Sequence, residues 1–63
     1  MIDNLTAKRK AAGLSLEALA AELGVTSMTV YRWERGKARP HRLMVKEIER
    51  ALAKAERRKG KAQ

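Results

Sequence analysis

Residues 16–35, which read LEALAAELGVTSMTVYRWER, decide the fold of this chain. Apolar or small residues recur at three- and four-residue spacing on both sides of a glycine, which is the period of a helix with one buried face. These positions are Leu16, Leu19, Ala20, Leu23, Gly24, Val25, Val30 and Trp33. Ala20 is small enough for two helices to cross closely, and Gly24 suits a left-handed turn residue. The pattern therefore predicts two helices joined by a tight turn, the helix-turn-helix arrangement.

The remainder of the chain extends this pattern into an all-α domain. The sequence predicts helices over residues 4–12, 16–23, 27–35 and 42–57. Asp3, Ser15 and Thr26 stand where the first three helices need N-caps, and glycines at 13, 24 and 36 stand where they should stop. The last helix has an apolar stripe made of Met44, Val45, Ile48, Ala51, Leu52 and Ala55. Residues 1–57 are predicted to form one domain, and residues 58–63, which lack apolar anchors, to fray as a basic tail.

Composition excludes several classes of protein. The chain has 63 residues, no cysteine and one histidine, so disulfides and a Cys/His zinc site are ruled out. Fifteen Lys and Arg against seven Asp and Glu give a net charge of +8. The first 31 residues hold three basic and three acidic side chains, so the whole surplus lies in residues 32–63. Such an asymmetric basic surplus is typical of a protein that binds a polyanion.

Other patterns are missing from the sequence. No apolar run approaches the roughly 18 residues of a membrane span, and no signal peptide is recognisable. We therefore expect a cytoplasmic, nucleoid-associated protein without membrane contact. No nucleophile–base pair, metal-ligand cluster or phosphate-cradling glycine loop is present. The sequence thus predicts no enzymatic activity, no cofactor and no small-molecule substrate.

Residues 9–40, RKAAGLSLEALAAELGVTSMTVYRWERGKARP, resemble the Cro and lambda-repressor-like helix-turn-helix family, the XRE type of transcriptional regulator. The resemblance extends over about residues 5–52. It implies a compact bundle of four helices, or five, whose third helix enters the DNA major groove, and a protein that binds as a dimer. Leu16 departs from the family, where glutamine often stands and helps to grip a phosphate. A fifth helix, which often supports the dimer, is also not evident.

The resemblance makes the third helix the expected reading element. Its outward positions predicted to contact base edges are Ser27, Met28, Tyr31 and Arg32. The residues predicted to bind phosphate are Ser15, Arg35, Lys37, Arg39 and Arg42. The simpler alternative for all of them is a solvated helix face and a soluble loop.

Four further residues have roles that are mainly structural. By resemblance, Arg9 and Glu34 form an ion pair that joins the first helix to the end of the third. Trp33 lies at helical spacing from Val30 and is expected in the core rather than as a stacking platform for single strands. His41 is expected at the start of the fourth helix, as a cap or beside a phosphate.

The fourth helix carries a basic stripe, Arg42, Lys46, Arg50 and Lys54, followed by Arg57 and Arg58. It is either a solubilising face or an auxiliary contact with DNA or with an acidic surface. The sequence predicts a transcriptional regulator, a repressor, that binds double-stranded DNA as a homodimer. We expect weak self-association, strengthened by DNA, through apolar surface left uncovered near Met44, Ile48 and Leu52. The alternative is an antitoxin-like or adaptor module that keeps the fold and binds a protein partner.

Overall fold

Four α-helices follow one another along the chain: α1 (Leu5–Ala11), α2 (Leu16–Leu23), α3 (Ser27–Glu34) and α4 (Arg42–Lys61). The structure is a computed structural model that describes residues 4–61, with side chains described through residue 59. Within residues 4–61 there is no β-strand, so the all-α class predicted from the sequence is confirmed.

α3 and α4 lie on opposite sides of a single core. Each of them packs against both α1 and α2, whereas direct packing between α3 and α4 is slight. Leu19 of α2, Val30 of α3 and Ile48 of α4 are fully buried at the centre. Burial of one such side chain stabilises the fold by roughly 1.5–3 kcal/mol. α3 and α4 therefore each bury one face in this core and expose the other.

Side-chain caps fix where α2 and α3 begin. The Ser15 Oγ accepts a hydrogen bond from the backbone N–H of Ala18 at 3.0 Å, and the Thr26 Oγ1 accepts one from Thr29 at 3.2 Å. Each cap satisfies a backbone donor that has no partner inside its helix. Both caps were predicted from the sequence and are confirmed.

The turn between α2 and α3 depends on Gly24. Its φ of 71° lies in the left-handed region, and the N–H of Val25 donates to the carbonyl of Ala20 at 3.0 Å. No atom lies within 4 Å of the position that a Cβ would take at Gly24. The left-handed backbone, rather than lack of space, is therefore what favours glycine here.

Helix ends differ from the sequence prediction in several places. α1 begins after Asn4, which has a left-handed φ of 59° and no side-chain cap bond; the proposed cap, Asp3, lies outside the described residues. α1 ends at Ala11, and α3 ends one residue before Arg35. These shifts of one residue arise because Ala12 and Arg35, the residues that follow the two helices, form their C-caps rather than their last helical residues.

α4 continues to Lys61, four residues beyond the predicted end at Arg57. The Lys59 Nζ donates to the carbonyl of Ala11 at 2.8 Å, and an Arg58 nitrogen lies 3.6 Å from the Glu22 carboxylate. These contacts tie the last turns of α4 to α1 and α2. Residues 58 and 59 are thus held by polar contacts. The sequence prediction of a frayed tail took only their lack of apolar side chains into account.

The apolar stripe of α4 is used within the fold. Ile48 and Leu52 are buried, and Met44 is half-buried against the core. The prediction that this surface remains uncovered for a dimer is therefore wrong, because α4 closes the core over α1 and α2. The large apolar side chain that α4 exposes is Leu43, at 67%.

Candidate nucleic-acid interface

The residues that α3 buries determine which of its faces is exposed to solvent. Because Val30 is fully buried and Trp33 is half-buried against the core, the opposite side of the helix faces solvent. Met28 and Tyr31 are exposed by 54% and 44%. Arg32 is exposed beside them, whereas Ser27 is half-buried. The structure thus groups the four residues predicted to contact bases along one helix.

Arg35 lies just after the last turn of α3 and is coupled to that face. Its guanidinium carbon is 5.9 Å from the centroid of the Tyr31 ring, within the range of a cation–π contact. The contact holds a cationic group at the border between the helix and the following loop. A predicted phosphate-binding side chain and a predicted base-reading side chain are therefore neighbours.

The loop after α3 presents further cations. Gly36, with a φ of 72°, closes α3, and the N–H of Lys37 donates to the carbonyl of Arg32 at 2.8 Å. Lys37 and Arg39 are exposed in this loop. The turn brings the chain away from α3 within a few residues, so the loop cations stay close to the C-terminal end of the helix.

α4 begins at the end of the loop, where the side chain of His41 caps its first turn. The His41 Nδ1 accepts a hydrogen bond from the backbone N–H of Met44 at 3.2 Å. Arg42 therefore stands in the first turn of α4 and is exposed. Arg39 and Arg42 line one open groove of about 470 Å³ together with Pro40, Val45, Lys46 and Glu49.

The start of α2 has mixed features for binding an anion. Ser15 is exposed, and its oxygen already accepts the capping bond from Ala18, which leaves the hydroxyl hydrogen to donate. Leu16 packs against the core and offers no polar group. Glu17 lies in the same first turn, and its negative charge opposes a phosphate. Among the predicted phosphate-binding residues, Ser15 therefore has the least electrostatic support.

Behind this surface, Arg9 and Glu34 form a nearly buried ion pair. The Arg9 Nε lies 2.6 Å from the Glu34 Oε2, and the side chains are only 10% and 6% exposed. A second nitrogen of Arg9 is 3.3 Å from the other carboxylate oxygen. The structure thus brings together the two residues that the resemblance pairs, and the pair connects α1 to the end of α3.

Sequence reasoning missed the partners that complete this network. The Thr6 hydroxyl donates to the Glu34 Oε1 at 2.8 Å, and the remaining Arg9 nitrogen donates to the Leu14 carbonyl at 2.9 Å. Among the described residues, no buried side-chain nitrogen or oxygen lacks a hydrogen-bond partner. Thr6 lies three residues before Arg9, one turn along α1, and this spacing is the signal that could have identified it.

The described residues show neither a metal-binding cluster nor a membrane-spanning helix. Nowhere in residues 4–61 do three or more His, Asp or Glu side chains group in a way that could hold a metal ion. None of the four helices combines the length and apolarity needed to cross a bilayer.

Comparisons with known proteins agree with this architecture. A family model described as helix-turn-helix matches residues 5–57, which include α1 to α3 and most of α4. A protein of the archaeon Pyrobaculum aerophilum, named "Putative HTH-type transcriptional regulatory protein", is 65% identical over 34 residues. That match spans 54% of this chain and 14% of the relative. No solved structure matches the chain significantly. Since the family model covers most of its length, the chain belongs to the helix-turn-helix family, a family of DNA-binding proteins that regulate transcription.

Proposed function

We propose that this protein is a sequence-specific regulator of transcription that binds double-stranded DNA by inserting α3 into the major groove. The observation that carries the proposal is the outer face of α3, where Met28, Tyr31 and Arg32 stand exposed opposite the fully buried Val30. The short α2–α3 turn and the core hold this face rigidly, so a groove can be read without prior ordering of the helix.

Each side chain on the face suits one kind of base contact. Arg32 can donate two parallel hydrogen bonds to guanine O6 and N7, the commonest specific contact in protein–DNA complexes. Met28 and Tyr31 offer apolar surface for a thymine methyl group. Ser27 stands at the N-terminal end of α3, the end that penetrates deepest in this motif, and its hydroxyl can bond a base or a phosphate.

Phosphate contacts on both sides of α3 then anchor the duplex backbone. Arg35, Lys37, Arg39 and Arg42 lie in sequence from the last turn of α3 to the first turn of α4, and all are exposed. Ser15 approaches a phosphate from the start of α2. Such contacts fix the orientation of the protein on DNA but carry no sequence information.

Two copies binding neighbouring half-sites would double the contacted sequence. Helix-turn-helix dimers place their reading helices one DNA turn apart, about 34–36 Å. With Ile48 and Leu52 buried in each copy, little apolar surface is left on α4 to hold two copies together in solution. We therefore propose that paired half-sites on DNA assemble the dimer, and that occupying promoter DNA represses transcription. The name of the Pyrobaculum relative supports the regulatory role.

Selection from a pool of random DNA duplexes tests the proposal. We expect an enriched site with two-fold symmetry and half-site centres about 10–10.5 base pairs apart. Arg32→Gln should lose or alter the enriched sequence, whereas Arg57→Gln, which removes an exposed charge from the outer side of α4, should retain it. If the wild-type protein retained duplexes without enriching any sequence, α3 would not be a reading helix.

A further inference from the structure

The outer face of α4 presents a second basic surface, formed by Lys46, Arg50, Lys54 and Arg57. Arg57 follows the fully buried Ile48 by nine residues, about two and a half helical turns, so it points directly away from the core. Lys46, Arg50 and Arg57 lie within about 40° of one another around the helix axis and span about 16 Å along it. We call these four residues the α4 stripe.

Acidic side chains neutralise the α4 stripe only in part. Lys54 lies 4.0 Å from Glu22, and Arg50 lies 3.4 Å from Glu47 in a highly exposed pair. Among the described residues, no carboxylate lies within ion-pair distance of Lys46 or Arg57. Like charges one turn apart repel each other along the helix. The stripe is therefore a line of positive charges, and a bound polyanion would reduce the repulsion between them.

This surface and the α3 surface face different ways. α3 and α4 each pack against α1 and α2 and contact one another little, so the two helices lie on different sides of the core. Lys46 borders the groove that Arg39 and Arg42 line. Arg57 lies about 22 Å further along α4 than Arg42. The far end of the α4 stripe is therefore placed to meet a second molecule or a distant segment of the same DNA.

We propose that the α4 stripe binds the phosphate backbone of a second DNA duplex, so that one copy of the protein holds two duplexes at once. The proposal rests on the proposed function in that the first duplex is held by α3. The second contact reads no sequence, because arginine and lysine on an exposed helix face meet phosphates rather than base edges.

The chemistry of the stripe favours duplex DNA over other polyanions. Single strands are bound by stacking on aromatic rings, and the two aromatic residues of the chain, Tyr31 and Trp33, both belong to α3. A bilayer would need the apolar face of α4, which is buried in the core. A protein interface needs an apolar centre, which the stripe lacks, and a second copy would present the same positive charge.

Capture of one duplex by another tests this inference on the full chain. One duplex is immobilised on beads, protein is added below the amount of immobilised DNA, and a labelled duplex is then offered in solution. The wild-type protein should retain the labelled duplex. Arg50→Gln with Arg57→Gln should reduce that capture about tenfold at roughly 100 mM salt, because two phosphate contacts are lost. Binding to a single duplex should change less than twofold.

A control of equal charge uses Lys8→Gln with Lys10→Gln, two exposed positions on α1. This variant should capture the labelled duplex as the wild-type protein does. Glutamine is a good helix former at all four positions, and circular dichroism checks that both variants keep their helical content.

Several outcomes would overturn the inference. The first is an equal loss of capture in the α4 double variant and in the α1 control variant. The second is unchanged capture in the α4 double variant. The third is displacement of the labelled duplex by polyglutamate at a lower concentration of charge than unlabelled duplex requires. The last would indicate an acidic protein as the partner. Failure of the wild-type protein to bind any duplex would also remove the proposed function, whereas single-duplex binding without capture would remove only the second contact.

Discussion

At the scale of single residues, the Arg9–Glu34 pair determines how α3 is held. The pair joins α1 to the last residue of α3 with two nitrogen–oxygen contacts, and Thr6 supplies a third hydrogen bond to the same carboxylate. Nearly buried charges are costly unless they are paired, because they lose their hydration. The network therefore fixes the C-terminal end of α3, where Arg35 and the loop cations begin.

Removing one partner should leave the other charge uncompensated. We expect Glu34→Ala to lower the free energy of unfolding by about 3 kcal/mol, as is usual when one member of a buried pair is lost. A double-mutant cycle with Arg9→Ala should give a coupling energy above the roughly 0.2–1 kcal/mol of exposed pairs. Urea denaturation followed by circular dichroism provides the measurement.

The exposed pair Glu47–Arg50 is the matched control, since its side chains are 54% and 74% exposed. Glu47→Ala should change the free energy of unfolding by less than about 1 kcal/mol. Additive effects of Arg9→Ala and Glu34→Ala would show that the buried pair contributes nothing as a pair.

At the scale of helices and turns, α3 is oriented by a connection of three residues, Gly24 to Thr26. Gly24 turns the chain with a left-handed backbone, and Thr26 caps α3 one step later. Since Val25 is half-buried against the core, the turn cannot swing freely. The angle between α2 and α3 is consequently a property of this short segment as much as of the core.

Substitutions at Gly24 should separate backbone strain from side-chain volume. The space around its Cα is open, so Gly24→Ala should cost only the left-handed strain of an L-residue, about 1–2 kcal/mol of unfolding free energy. Gly24→Asn, although larger, should cost less because asparagine tolerates this region. Thermal or urea denaturation of the two variants measures the difference. If the asparagine variant were the less stable one, volume rather than backbone conformation would govern this turn.

Local signals explain why the elements and most of their ends were predictable, whereas the end of α4 was not. Ser15, Thr26, Gly24 and the spacing around Leu19 act within a few residues, so they can be read from the sequence alone. The extension of α4 is supported by the ion pair between Arg58 and Glu22, which are thirty-six residues apart in the chain. No local sequence pattern predicts such a long-range contact. The same holds for the burial of Ile48 and Leu52, which depends on where α4 docks and not on how apolar it is.

At the scale of the whole molecule, positive charge is distributed over the outer faces of both α3 and α4. The α3 side carries Arg32 and Arg35 with the loop cations, while the α4 stripe lies across the core. The outward residues of α3 were identifiable from helical spacing once Val30 and Trp33 were assigned inward. The relative placement of α3 and α4 was not, because it follows from their packing against the same pair of helices.

The central claim, that α3 reads sequence while the loop grips backbone, is tested most directly by measuring affinity for a selected duplex and a scrambled duplex at about 50 and 200 mM salt. The wild-type complex, with roughly 6–10 phosphate contacts for two copies, should lose about 10³–10⁵ in affinity between these salt concentrations. Arg32→Ala should cost about 1–3 kcal/mol on the selected duplex and little on the scrambled one. Arg39→Ala should weaken both duplexes equally and lower the salt slope by about one per site. If Arg32→Ala weakened both duplexes by the same factor, Arg32 would contact only phosphate, and α3 would not be the element that reads the sequence.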